Sequence, residues 1–173
     1  KDHLARHPGE YAGMVFELVQ GEGGFYPGER KFFAALMEIL REAGAAVMID
    51  EVQTFGRTDE LFAFQHFGLN EFVDVVTIGK LSQVCATLYR EEFRPPPGLI
   101  SQTFTASTSA VYAARVIVDS LLSGGYFGPH GKISTLHAHF EKRLKDGMAE
   151  RGYSAEFAEQ IFATIKGFAE YGF

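Results

Sequence analysis

Two short apolar runs in this chain each end on a residue that a buried strand cannot carry without a partner. Val47-Met48-Ile49 leads into Asp50-Glu51-Val52-Gln53, and Val73-Asp74-Val75-Val76-Thr77-Ile78-Gly79 leads into Lys80. Their length and β-branched content read as strands. An acid and an amine at two strand ends must be solvated, paired or engaged by a ligand, because burying either charge alone is costly.

The flanking sequence places these runs in a familiar kind of unit. Gly13 to Val19 reads as a short buried strand entering the glycine-rich turn Gly21-Glu22-Gly23-Gly24. From Glu29 to Ala43, Phe32, Phe33, Leu36, Met37, Ile39 and Leu40 recur at spacings of three and four, an amphipathic helix that Gly44 can end. Ala45 to Asp50 is the next strand, so the order is β, α, β. The continuous apolar strands predict an α/β fold with a mostly parallel sheet buried on both faces. In such sheets ligands lie at the carboxyl ends of strands, where Asp50 and Lys80 both fall.

Farther on, Arg94-Pro95-Pro96-Pro97-Gly98 must be a loop. Ser107 to Leu122 reads as a helix apolar around most of its circumference, with a polar stripe at Thr108, Arg115 and Asp119, and is expected to be largely buried. Gly124-Gly125 stops it. Ile133, Leu136, Phe140 and Leu144 give a further amphipathic helix from about Lys132, and Tyr153 to Phe168 a last one with Ser154 as its N-cap.

Composition narrows the partners. At 173 residues and 46% hydrophobic content the chain can bury one substantial core. A formal charge of −6 provides no basic footprint for nucleic acid. No apolar run approaches the ~18 residues of a membrane span. A single cysteine, Cys85, excludes an internal disulfide framework, fits the reducing cytoplasm, and reads as a small core hydrophobe. Gly21 to Lys31 is not a phosphate loop, since Glu29 follows Gly28 where Lys and then Ser or Thr are required. His137 and His139, two apart, face different directions on a helix and cannot share a metal.

Several ordered motifs, Glu17-Leu18-Val19-Gln20-Gly21-Glu22-Gly23-Gly24, Ile49-Asp50-Glu51-Val52-Gln53-Thr54, Phe55-Gly56-Arg57-Thr58, Gly79-Lys80 and Gln102-Thr103-Phe104, resemble the class III aminotransferases. That group includes the acetylornithine, ornithine, 4-aminobutyrate and lysine ε-aminotransferases. The resemblance covers roughly residues 12 to 145 and implies part of the large domain of a fold-type I transferase using pyridoxal 5′-phosphate. Residues 1–145 are then expected to be that partial domain, and 146–173 a C-terminal helical segment of uncertain origin. The latter resembles a short stretch of bacterial replicative DNA polymerase catalytic subunits, without any of their catalytic acids, so no polymerase function is carried over. Family members are much longer and Lys1 is no initiator Met, so the chain is expected to be a fragment.

The resemblance implies that Lys80 is the Schiff-base lysine, that Asp50 holds the cofactor's ring nitrogen, that Gln53 donates to its phenolate oxygen and that Val52 packs on the ring. Thr103 resembles the threonine that reaches the cofactor phosphate of the neighbouring subunit, although Thr105-Ala106-Ser107 replaces the family's Gly-Gly-Asn after it. Glu22 matches a glutamate that pairs with an active-site arginine and moves aside for one substrate. The implied reaction is transamination between an amino acid, carrying an ω-amino group, and a 2-oxo acid such as 2-oxoglutarate, in a cytoplasmic homodimer.

The chemistry of the residues agrees with these roles. A lysine must lose its proton to attack an aldehyde, and burial at an apolar strand end is expected to help. Arg90 cannot compete, because a guanidinium keeps its proton. The alternative is a truncated or chimeric chain that folds, takes up cofactor weakly and catalyses nothing.

Overall fold

The computed structural model describes residues 1–22, 24–100 and 106–162. After a short helix α1 (Asp2–Arg6) the chain forms β1 (Gly13–Phe16), the two-residue strands β2 (Val19–Gln20) and β3 (Tyr26–Pro27), helix α2 (Arg30–Glu42) and β4 (Ala46–Asp50). The short helix α3 (Ala63–His66), β5 (Val75–Ile78), a 3₁₀ turn (Lys80–Ser82) and β6 (Ala86–Tyr89) follow. Helices α4 (Thr108–Ser123) and α5 (Lys132–Ala149) come next, then a helical stretch over 155–162.

The main sheet has the order β1-β4-β5-β6. Strand β4 is central and runs parallel to both β1 and β5, with Met48 opposite Val75 and Asp50 opposite Thr77. Strand β6 is antiparallel to β5, because the link through Lys80–Ser82 is too short for a crossover. The mostly parallel α/β fold expected from the sequence is therefore present, with one antiparallel edge.

Helix α2 covers one face of this sheet. Phe33, Met37 and Leu40 lie on its buried stripe and join Leu18, Val47, Ile49, Leu69, Phe72 and Val76 in one core. The ring of Phe33 packs against Phe16 and Phe67, with centroids 5.8 and 5.9 Å away. Gly44, at φ +70°, ends the helix as the spacing predicts, and Ala45 N–H closes onto Leu40 O at 2.9 Å.

Adjacent Phe32 and Phe33 make opposite demands, at 61% and 5% exposure. Phe33→Ala should cost about 3–5 kcal/mol through lost burial and a cavity, and Phe32→Ala less than about 0.5 kcal/mol as a surface change. Denaturant unfolding of the two variants checks this, and equal losses would contradict the packing described.

Burial differs from expectation in four places, for a shared reason. The β4 residues alternate between half-buried and buried instead of being covered on both faces, because α2 covers only one face of the sheet. Strand β1 is an edge, and Met14 and Val15 are exposed. Helix α4 forms where expected, with Ser107 Oγ accepting from Ala110 N–H, but only Leu121 on it is buried, while Val111, Tyr112, Val116 and Leu122 are exposed. Cys85 is exposed rather than in the core, since it borders the outer strand β6. Among the described residues nothing covers these surfaces.

The C-terminal helix at 155–162 lies against α5. Ser154 Oγ accepts from Phe157 N–H at 3.1 Å, the expected N-cap. Ala158 and Phe162 are buried, and Lys145 bridges Glu141 and Glu159. The remainder of the helix expected to reach Phe168 lies outside the described residues. Among the described residues no helix is long and apolar enough to cross a membrane.

Candidate active site

The carboxyl ends of β4 and β5 bring Asp50 and Lys80 to one edge of the sheet. Asp50 is the last residue of β4 and is half-buried. Its Oδ1 accepts from Val52 N–H at 2.9 Å and from Thr77 Oγ1 at 3.3 Å. Thr77 reaches it because the parallel register sets the two residues side by side. The second carboxylate oxygen, Oδ2, takes no hydrogen bond among the described residues.

Lys80 follows Gly79 directly after β5 and opens the 3₁₀ turn. Its backbone is left-handed, at φ +48°, as is that of Gln83 at +58°. For residues with a Cβ this conformation costs energy and is concentrated at functional sites. Its Nζ donates to Gln53 Oε1. The amide nitrogen of Gln53 makes no hydrogen bond among the described residues, so a donor remains beside the amine. Lys80 is exposed, which corrects the expectation of a buried lysine. Strand β5 ends at Ile78, and the turn that follows projects Lys80 beyond the sheet, where the described residues leave it open to solvent.

Val52 packs on Gly79, where an added Cβ would sit 3.3 Å from Val52 Cγ1 and 3.4 Å from Cys85 Sγ. Gly79 thus lets the strand end approach the turn that carries Val52 and Gln53. The glycine-rich turn also arrives here, since a Cβ on Gly21 would lie 3.4 Å from Gln53 Cγ. Gly21 N–H is tied to Glu17 Oε2 at 2.8 Å. Glu22 is exposed on that turn. Thr103 lies outside the described residues.

Glu51 contributes to the site's construction, a role the sequence reading does not assign it. It is fully buried. Its Oε2 accepts from Thr54 Oγ1 at 2.7 Å and Ala63 N–H at 2.8 Å, and its Oε1 from Phe64 N–H at 2.9 Å. Burial pushes its carboxyl above the ordinary value, opposed by the hydrogen bonds from Ala63, Thr54 and Phe64 and assisted by the nearby Asp50 charge. A second acid directly behind an apolar strand was the available signal, because such a group must find donors.

A cleft of about 770 Å³ lies elsewhere, bounded by Gly56, Leu81, Val116, Leu121, Ile133 and Phe140 among others. It is the largely apolar gap left between α4, α5 and the turn after β4, and none of Asp50, Gln53 and Lys80 lines it.

The arrangement therefore offers an acid oxygen free to accept, a side-chain amide with a free donor, an amine and an apolar contact surface at one strand edge. Residues 2–152 match the family model described as aminotransferase class-III. An acetylornithine aminotransferase of Aquifex aeolicus is 35% identical over 144 residues, covering 79% of this chain and 36% of that protein. The chain belongs to the class III aminotransferases. The human mitochondrial 4-aminobutyrate aminotransferase is 40% identical over 85 residues, 49% of this chain and 17% of that protein. Among solved structures, lysine aminotransferase from M. tuberculosis superposes with a TM-score of 0.68 at 26% identity, covering 86% of this chain and 35% of that one. This class III chain spans about a third of the length of the acetylornithine aminotransferases it matches. The cofactor of these aminotransferases is pyridoxal phosphate.

Proposed function

We propose that this chain is the lysine-bearing part of an enzyme that transfers an amino group between an amino acid and a 2-oxo acid, using pyridoxal 5′-phosphate. The observation that carries the reading is the contact between Lys80 Nζ and Gln53 Oε1 at the same sheet edge as an Asp50 oxygen that has no hydrogen-bond partner among the described residues. These groups fit the cofactor. Asp50 would hold its ring nitrogen, Gln53 would donate to its phenolate oxygen, Val52 would pack against its ring and Lys80 would carry it. Thr103 would reach the phosphate of the other subunit in a homodimer, and Glu22 would contact substrate.

Bound pyridoxal phosphate supplies an electron sink for the negative charge that forms at the substrate Cα. Asp50 stabilises positive charge at the ring nitrogen, a contribution of about 4 kcal/mol for unit charges ~4 Å apart at an effective dielectric near 20, before desolvation. Lys80 moves the proton on and off Cα. Val52 excludes water from one side. Residues 1–145 form the transferase portion, and 146–173 a C-terminal segment beyond it. The relatives named for acetylornithine and 4-aminobutyrate favour a donor with an ω-amino group, and the reading takes 2-oxoglutarate as the acceptor and the cytoplasm as the setting.

A steady-state assay with a panel of amino donors and 2-oxoglutarate tests the reading. The whole protein should form glutamate from an ω-amino donor. The 173-residue chain alone should show negligible turnover, because positioning of cofactor and substrate is worth up to ~7–11 kcal/mol and most of the family's length is absent from it. Failure of the whole protein with every donor would overturn the assignment.

A further inference from the structure

Glu51 is the most completely enclosed charged group among the described residues, at 0% exposure, and no step assigned above uses it. Its partners span two segments. Thr54 belongs to the turn that follows β4, whereas Ala63 and Phe64 open α3. The main chain of the same residue is held as well: Glu51 N–H donates to Thr77 O at 2.9 Å, and Phe55 N–H donates to Glu51 O at 2.9 Å. Val52 and Gln53 therefore sit in a turn fastened to β5 at its start, closed on itself at Thr54 and Phe55, and anchored from beneath by α3. All three side-chain hydrogen bonds are donated to the carboxylate, so both of its oxygens must accept.

We propose that Glu51 is a positioning residue, which holds Gln53 against Lys80 by pinning the turn that carries Gln53. The proposal rests on the reading of Lys80 and Gln53 as cofactor ligands. An amide in place of the carboxylate would present a donor to donors, leaving at least one buried N–H or O–H unpaired. The turn would then relax, and Gln53 would lose its fixed distance from Lys80.

Two measurements on the full chain test this. In the first, pyridoxal 5′-phosphate is titrated, with absorbance as the readout, into the unsubstituted chain, Glu51→Gln, Gln53→Ala and the double variant. Glu51→Gln should weaken cofactor binding about tenfold, and by less than about twofold when Gln53 is already alanine, since coupled residues are not additive. An equal loss in both backgrounds, or none in either, would overturn the proposal, because a merely structural role does not depend on Gln53. In the second, amide hydrogen exchange at Val52, Gln53 and Thr54 should accelerate in Glu51→Gln while β4 and β5 keep their protection, and unchanged exchange at the turn would overturn it. This second measurement needs no cofactor, so it judges Glu51 even if borohydride trapping shows that Lys80 is not the cofactor's lysine. Should Glu51→Gln fail to fold, Thr54→Val decides. It removes one donor at nearly constant volume, and faster exchange at Val52 and Gln53 supports the proposal, while none overturns it.

Discussion

Lys80→Ala in the whole protein should lower the rate of transamination about 10⁴-fold, because in the proposed site it would remove both the group that carries the cofactor and the base that moves the substrate proton. None of the other described lysines stands at the end of a strand: Lys1 pairs with Glu42 and Lys31 lies on α2. Lys142 and Lys145 lie on α5, engaged by Asp146 and by Glu141 and Glu159, and Lys132 lies over the Tyr126 ring. The fold should survive, since Lys80 is exposed and its one side-chain hydrogen bond among the described residues is to Gln53. Rates of glutamate formation with matched thermal unfolding provide the comparison, and retention of more than a few per cent of activity would remove Lys80 from the chemistry.

Asp50→Asn should behave differently. The substitution preserves shape and can keep the Oδ1 hydrogen bonds from Val52 and Thr77, but it deletes the charge that the proposed site sets opposite the ring nitrogen. That charge matters most as negative charge develops on the substrate, so kcat should fall by about 10²–10³ with a much smaller change in the Kd for cofactor. Spectroscopic titration against steady-state kinetics separates the two quantities. Equal losses in both would make Asp50 a structural residue whose role is to hold Val52 and Thr77.

The strand ends that carry Asp50 and Lys80 were legible because each marks an event the chain cannot hide. An apolar run followed by Asp50, and another followed by Lys80, are strand ends, and parallel register brings such ends together. Helix α2 was legible for the same reason, with Phe33, Met37 and Leu40 recurring on one stripe. Burial was less legible. The apolar content of Val111, Tyr112 and Val116 tells that α4 can be covered, and only the surrounding chain decides whether it is. The same holds for Met14 and Val15 on β1 and for Cys85 beside β6. The left-handed backbone of Lys80 has no counterpart in composition, because it is imposed by the turn between β5 and β6. Glu51 was hidden by its neighbour, since Asp50 alone accounts for an acidic strand end and the donors from α3 come from a segment twelve and thirteen residues away.

The assignment of Lys80 is tested most directly by trapping the cofactor where it is bound. Borohydride reduction of the whole protein with pyridoxal 5′-phosphate, followed by proteolysis and peptide mapping, should place the pyridoxyl group on the peptide containing Gly79-Lys80-Leu81, at Lys80 alone. A label on any other lysine would contradict the site built here from Asp50, Gln53 and Lys80.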